Sequence, residues 1–269
     1  MYRRLALFGL VLSVAGLYAL QASQGEQDRP IRLLIITGDH GHDWRATTEF
    51  FKKFLPQDLI QVDVTVTPAK DLTVQNLRRY DVLLLNYKDT PRGTPETRWS
   101  EANINAFLVA VRSGRGLIAY HHATSALIGH YEFERCIGGG WRGQGYHGPK
   151  HQFTVTIVNR EHPITKGFPP QFRHEVDELY QNSVMFPENE VLCTAYSDPD
   201  RPEGTGKYEP MVWVKRYGRG RVVANMLGHD VQAMQGKGFQ TLMIRSIQWA
   251  AKRPVTWPVP ENLDAPVRE

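Results

Sequence analysis

Gly116-Leu-Ile-Ala-Tyr-His-His-Ala123 is an apolar run that stops abruptly on two histidines, His121 and His122, just before a helix start. A short apolar run opened by glycine reads as a strand buried on both faces, as in a parallel sheet flanked by helices. Ligands of open α/β sheets bind outside the carboxyl ends of the strands. Two imidazoles at that point therefore mark the working edge of the sheet and suggest a metal or acid/base site.

The flanking sequence supplies the rest of such a sheet. Upstream, Ile31 to Thr37, Leu59 to Val66 and Asp81 to Leu85 read as strands. Arg45 to Leu55, Asp71 to Arg79 and Ser100 to Ser113 read as the helices between them, the last with the stripe Ile104, Phe107, Leu108, Val111. Strands alternating with helices at this spacing imply βαβ units and a flavodoxin-like, doubly wound, mostly parallel sheet. Downstream the character changes. Phe153 to Val158 and Glu190 to Tyr196 read as strands, Met211 to Lys215 and Arg221 to Met226 as an added β-hairpin region, and Phe239 to Ala251 as a closing helix. The Pro-rich tail, 253–269, is expected to run over the surface without regular structure.

Residues 1–22 carry Arg3 and Arg4, an apolar run from Leu5 to Leu20, and small residues around Ala22. This reads as a secretory signal peptide, with an uncleaved membrane anchor as the alternative. Either reading places the folded part, 30–252, outside the cytosol, in the periplasm or the extracellular space. No second stretch is apolar enough to span a bilayer. The net charge of +4 includes the two signal-segment arginines, and no Lys/Arg run points to nucleic acid. Cys136 and Cys193 are the two cysteines; they could form a disulfide in an oxidising compartment or serve as small buried residues. Neither has a CxxC partner.

Further histidine groups fall at other expected strand ends. Gly38-Asp-His-Gly-His-Asp-Trp44 follows the first strand and places His40, His42 and Asp43 in a loop that opens a helix; a capping role is the plain alternative. That loop lacks the full GxGxxG or Walker spacing, so it supports nucleotide binding weakly. Gly228-His229-Asp230 follows the last strand. Imidazole suits zinc and other divalent metals, with a carboxylate or water completing the shell, so His40, His42, His121 and His229 are the candidate metal ligands. His174-Glu-Val-Asp-Glu-Leu-Tyr180 holds three carboxylates. In an extended segment Glu175 and Asp177 point to one side and Glu178 to the other, usually as a solvated face. The functional reading has Asp177 or Glu178 orienting a histidine, ligating metal or acting as base. Arg142, Trp141 and His147, in a Gly-rich aromatic loop, and Trp44 are the candidate substrate-binding residues. Trp44, Trp141 and Tyr146 could stack on sugar faces or simply pack the loop.

The order of these motifs resembles the trehalose-utilisation (ThuA-like) family of the class I glutamine amidotransferase-like superfamily. The residues that carry it are Ile-Thr-Gly-Asp-His-Gly-His-Asp-Trp ending at Trp44, Gly116 to Ala123, His-Pro-Ile-Thr-Lys-Gly ending at Gly167, Asp177 to Tyr180, and Gly-Arg-Gly-Arg-Val through His229. The superfamily comparison implies that His121 stands in the slot of an amidotransferase's nucleophilic cysteine and His229 in that of its partner histidine. Neither cysteine lies at that elbow and the usual Gly-x-Gln is absent, which argues against thiolate attack on glutamine. The resemblance implies a carbohydrate substrate. A keto-sugar carries an acidic proton beside a carbonyl, so a divalent metal, such as zinc, and a base would suit isomerisation or eliminative or hydrolytic cleavage. A noncatalytic sugar-binding protein on the same scaffold is the alternative from a different class. The sequence leaves the oligomeric state open.

Overall fold

In a computed structural model, which describes residues 29–38, 41–91 and 93–263, the chain builds one nine-stranded mixed sheet. The strands are β1 (Ile31–Thr37), β2 (Ile60–Thr65), β3 (Val82–Asn86), β4 (Gly116–Tyr120), β5 (His151–Ile157), β6 (Gln171–Asp177), β7 (Glu190–Ser197), β8 (Lys207–Tyr217) and β9 (Gly220–Asn225). Their order across the sheet is β2-β1-β3-β4-β9-β8-β7-β5-β6. The first five run parallel, and the remaining four form an antiparallel arm.

The sequence explains the parallel half directly. Every residue of β3 and β4 is buried, which is what unbroken apolar runs in a doubly covered sheet require. The helices are α1 (Trp44–Phe54), α2 (Glu101–Arg112), α3 (Tyr131–Ile137) and α4 (Lys237–Ala250). Ser100 caps α2 in a reciprocal capping box with Asn103, and Asp43 caps α1 through the Ala46 amide. Phe54 of α1 meets Phe239 of α4, while Phe107 of α2 meets Phe133 of α3, giving two helical layers.

Several expectations are corrected. The 71–79 helix is two short turns, Pro68–Asp71 and Val74–Leu77. The hairpin β8–β9 is no appendage: β9 pairs with β4 and β8 with β7, so it joins the two halves of the sheet. Strand β6 was hidden in the charged 174–180 segment, whose expected solvated face does not form: His174, Asp177 and Glu178 are all buried. The tail through residue 263 lacks regular structure but docks: the Trp257 carbonyl accepts from Arg245 and its amide donates to Gln248. The expected signal peptide, residues 1–22, and residues 264–269 lie outside the described residues. No helix among the described residues is long and apolar enough to cross a membrane.

Cys136 and Cys193 are both buried and unbridged. Burial pushes both thiols up, so neither is a ready thiolate. A reductant should therefore leave the thermal midpoint unchanged, and the denatured protein should titrate two thiols without prior reduction. A drop in the midpoint on reduction would show a bridge.

Candidate metal centre

Three loops at the carboxyl ends of parallel strands bring the histidines together. His42 lies between β1 and α1, His121 follows β4 and His229 follows β9. Their ring centroids are 5.7 Å (His42 to His121), 5.0 Å (His42 to His229) and 5.3 Å (His121 to His229) apart. His40 lies outside the described residues. His122 is buried and stacks on His42 at 4.1 Å, backing the cluster.

His121 sits at a sharp elbow between β4 and a short 3₁₀ turn, with a φ of 43°. A left-handed conformation costs a non-glycine residue about 1–2 kcal/mol. Here it turns the ring into the site, where Nδ1 lies 2.7 Å from the carbonyl oxygen of Met226. A carbonyl only accepts, so Nδ1 carries a proton, and in the neutral ring Nε2 presents its lone pair inward.

The carboxylates arrive from the far edge of the sheet. Strand β6 is four strands away from β9, yet Asp177 at its end accepts from the amides of Gly228 (2.6 Å) and His229 (2.9 Å). The antiparallel arm therefore curls back over the carboxyl edge of the parallel half. Asp177 also accepts from His174 Nε2 at 2.8 Å and from the amide of Glu178 at 2.8 Å. With both oxygens so engaged and no solvent exposure, Asp177 positions its neighbours and presents no free face to a ligand. Burial opposes ionisation of this carboxyl, but the hydrogen bond and charge of His174, the charge of His121 and the Gly228 amide hold it below the usual range.

Glu178 turns its side chain into the histidines. Its Oε2 is 3.0 Å from His229 Nδ1 and 3.4 Å from His121 Nε2, and its Oε1 is 3.3 Å from His147 Nε2. Burial would raise this carboxyl, but the hydrogen bonds and charges of His121 and His229 hold it well below the usual carboxylate range. Burial likewise opposes charging of His229, while Glu178, Asp177 and Asp230 outweigh it and raise the imidazole. One ligand atom from each of His42, His121, Glu178 and His229 lies within 4.8 Å of the other three.

Those residues fit a divalent cation. Metal–ligand bonds of about 2.0–2.1 Å arranged tetrahedrally put ligands about 3.4 Å apart. The Glu178 contacts to His229 and His121, at 3.0 and 3.4 Å, span that spacing. The tautomer of His121 adds a second argument, because once that imidazole is neutral its Nε2 lone pair faces the ionised carboxylate 3.4 Å away. A cation between them removes the repulsion. His147 repeats the pattern, with Nδ1 donating to the Gly148 carbonyl at 2.8 Å and Nε2 toward Glu178.

The expected substrate residues divide. His147 is held at the rim where Tyr146–His147 pairs with Tyr180–Gln181, and Trp141 packs edge-on against Tyr180 at 4.4 Å. Trp44 is half-buried with the Arg45 guanidinium 4.2 Å from its ring centre. Arg142 is buried: it donates to the carbonyls of Thr124 (2.6 Å) and Ala126 (2.8 Å) and pairs with Glu134 at 3.1 Å, so it braces the elbow loop. The Tyr146 hydroxyl donates to the Glu203 carbonyl. Tyr180, which sequence reasoning passed over, donates its hydroxyl to His121 Nε2 at 2.9 Å. Its signal was its place three residues after Asp177.

A doubly wound α/β sheet whose strand-end elbow carries a histidine, with two more histidines and a carboxylate converging on it, defines the class of this protein. A model of the trehalose-utilisation family, ThuA, matches residues 32–250, and the chain belongs to that family. It is carbohydrate-related in that general sense. It is similar to a ThuA-like protein from Parabacteroides merdae at 32% identity, with 88% of this chain and 95% of that chain covered and a TM-score of 0.77. A ThuA-like protein from Bacteroides uniformis is 22% identical over 82% of this chain and 92% of its own, with a TM-score of 0.68. A β-galactosidase from Bacillus circulans shares the fold over 82% of this chain and 31% of its own, at 13% identity and a TM-score of 0.53. No curated protein matches the sequence.

Asp177 and Gly228, whose amide it accepts from, support one prediction each. A carboxylate held low in the folded state stabilises it above its unfolded pKa of about 4, and the contribution is lost as the pH falls through the folded value. Asp177→Asn should cost about 2–4 kcal/mol near neutrality in urea unfolding and should flatten the loss of stability toward acid. Equal acid dependence in the two proteins would contradict this. Gly228, at φ 99°, leaves no room for a methyl, since a Cβ would lie 2.8 Å from the rings of Phe239 and Tyr120. Gly228→Ala should displace His229 and weaken zinc binding at least about tenfold, by calorimetry, beyond any loss of stability.

Proposed function

We propose that this protein is a metal-assisted enzyme acting on a sugar or keto-sugar glycoside, of isomerase or lyase/hydrolase type, rather than a glutamine amidotransferase. One observation carries the reading: three imidazoles and one carboxylate, from four separate loops, converge at the carboxyl edge of the sheet. His42, His121, Glu178 and His229 would hold the ion. A divalent cation such as zinc supplies Lewis acidity toward a substrate carbonyl or hydroxyl.

The chain's own groups would do the rest. Asp177 holds the amides of Glu178 and His229 in place, so neither ligand drifts when substrate enters. Glu178 Oε1 and His147 Nε2, 3.3 Å apart, are the atoms placed to take and pass the proton beside a carbonyl. The His147 side chain is 34% exposed, which gives that proton a route to solvent. Trp141 and Tyr180 form an aromatic wall suited to a sugar face, and family membership supports carbohydrate as the substrate class. The signal-like N-terminus supports export to the periplasm or beyond.

The purified protein should carry about one divalent ion per chain by elemental analysis, and His121→Ala should lose it. Turnover of a keto-disaccharide should fall about 10²–10⁴-fold in His121→Ala and Glu178→Gln. Metal-free protein with turnover unchanged in His121→Ala would overturn the reading. Sugar binding that survives both substitutions with no product formed would identify a binding protein instead.

A further inference from the structure

Tyr180 and a bound cation compete for the same lone pair. The Met226 carbonyl fixes a proton of His121 on Nδ1, so Nε2 of the neutral ring can only accept, and the Tyr180 hydroxyl then donates to it at 2.9 Å. His121 belongs to the four-residue cluster that could hold an ion, and with Nδ1 engaged by Met226 the nitrogen left to face it is Nε2, 3.4 Å from Glu178. Coordination at Nε2 would use the electron pair that now accepts the phenolic hydrogen bond.

The phenol ring has little freedom to withdraw. Tyr180 is 3% exposed, with its ring centroid 4.4 Å from that of His121, 4.4 Å from that of Trp141 and stacked on His147 at 6.1 Å. Backbone pairing of Tyr180 with His147 fixes the ring from behind. Only the O–H can turn, by rotation about its C–O bond. A buried donor that has lost its acceptor costs more than the bond itself was worth, which favours any oxygen that replaces it.

We propose that Tyr180 is a substrate-contacting residue: its O–H caps His121 Nε2 until a divalent cation takes that lone pair, and then donates to a carbonyl or hydroxyl oxygen of the sugar. This inference rests on the metal-assisted reading of the site. It gives the site an order of assembly, because the hydroxyl becomes available to substrate only when the ion is in place. It also assigns the aromatic wall a polar point of recognition, through which an oxygen-bearing substrate is favoured over a deoxy analogue.

Tyr180→Phe keeps the ring and removes only the hydroxyl. Calorimetric titration of metal-stripped protein with Zn²⁺ should show the variant binding about two- to tenfold more tightly than wild type, since no hydrogen bond is displaced. The zinc-loaded variant should bind a keto-disaccharide about tenfold more weakly. Zinc affinity equal to or weaker than wild type would overturn the role of Tyr180 while leaving the metal site standing. Wild-type protein that takes no zinc would overturn the metal reading and this inference with it. A measurement on wild type alone covers a variant that fails to fold: zinc should produce a tyrosine ultraviolet difference spectrum as the phenol loses its acceptor. Its absence, with zinc bound, would contradict the handover.

Discussion

The buried carboxylate of Asp177 ties the end of one edge strand to the turn that follows β9: it accepts from the amides of Gly228 and His229 across the gap and from His174 and the Glu178 amide on its own side. Glu178 and His229 inherit their positions from that clamp. It holds the antiparallel arm over the parallel half, aims the next side chain, Glu178, at the histidines, and fixes the backbone that carries His229. An ionised group with no solvent exposure is tolerated only when its oxygens are satisfied, and here four donors do so. Replacing one of them leaves a buried charge short of a partner, which is why a residue that need not touch substrate governs the geometry of those that would.

A second constraint is the left-handed elbow at His121. The scaffold spends conformational energy to point one side chain at the sheet's working edge, and the hydrogen bond to Met226 then selects which imidazole nitrogen faces in. An imidazole presented there with its lone pair inward is suited to the metal-ligand role proposed for it. The same backbone device thus supports different chemistry according to the residue it presents, which is why the fold alone could not assign the activity.

The strands that carry the histidines were legible because each is an unbroken apolar run ending on glycine or histidine, and the rule for open α/β sheets says where such ends face. Glu178 was legible only as one of three carboxylates. The buried positions of β6 include His174 and Asp177, which satisfy each other, so the strand shows no apolar alternation, and a curl of the antiparallel arm leaves no mark in local sequence. The placement of Arg142 was hidden for a related reason. A guanidinium in a glycine-rich loop reads as a ligand-binding group, but its partners are carbonyls of Thr124 and Ala126, brought near only by the elbow. Long-range hydrogen bonds of this kind also decide the tautomer of His121 and the partner of Tyr180.

The proposed chemistry depends on one arrangement, a single divalent ion shared by His42, His121, Glu178 and His229. Crystals grown with zinc and measured on both sides of its absorption edge test that arrangement most directly. The account predicts one anomalous peak among the four side chains, about 2.0–2.2 Å from an imidazole nitrogen of each histidine and from a Glu178 oxygen. No peak there, or zinc held by other residues while these four stay unchanged, would contradict it.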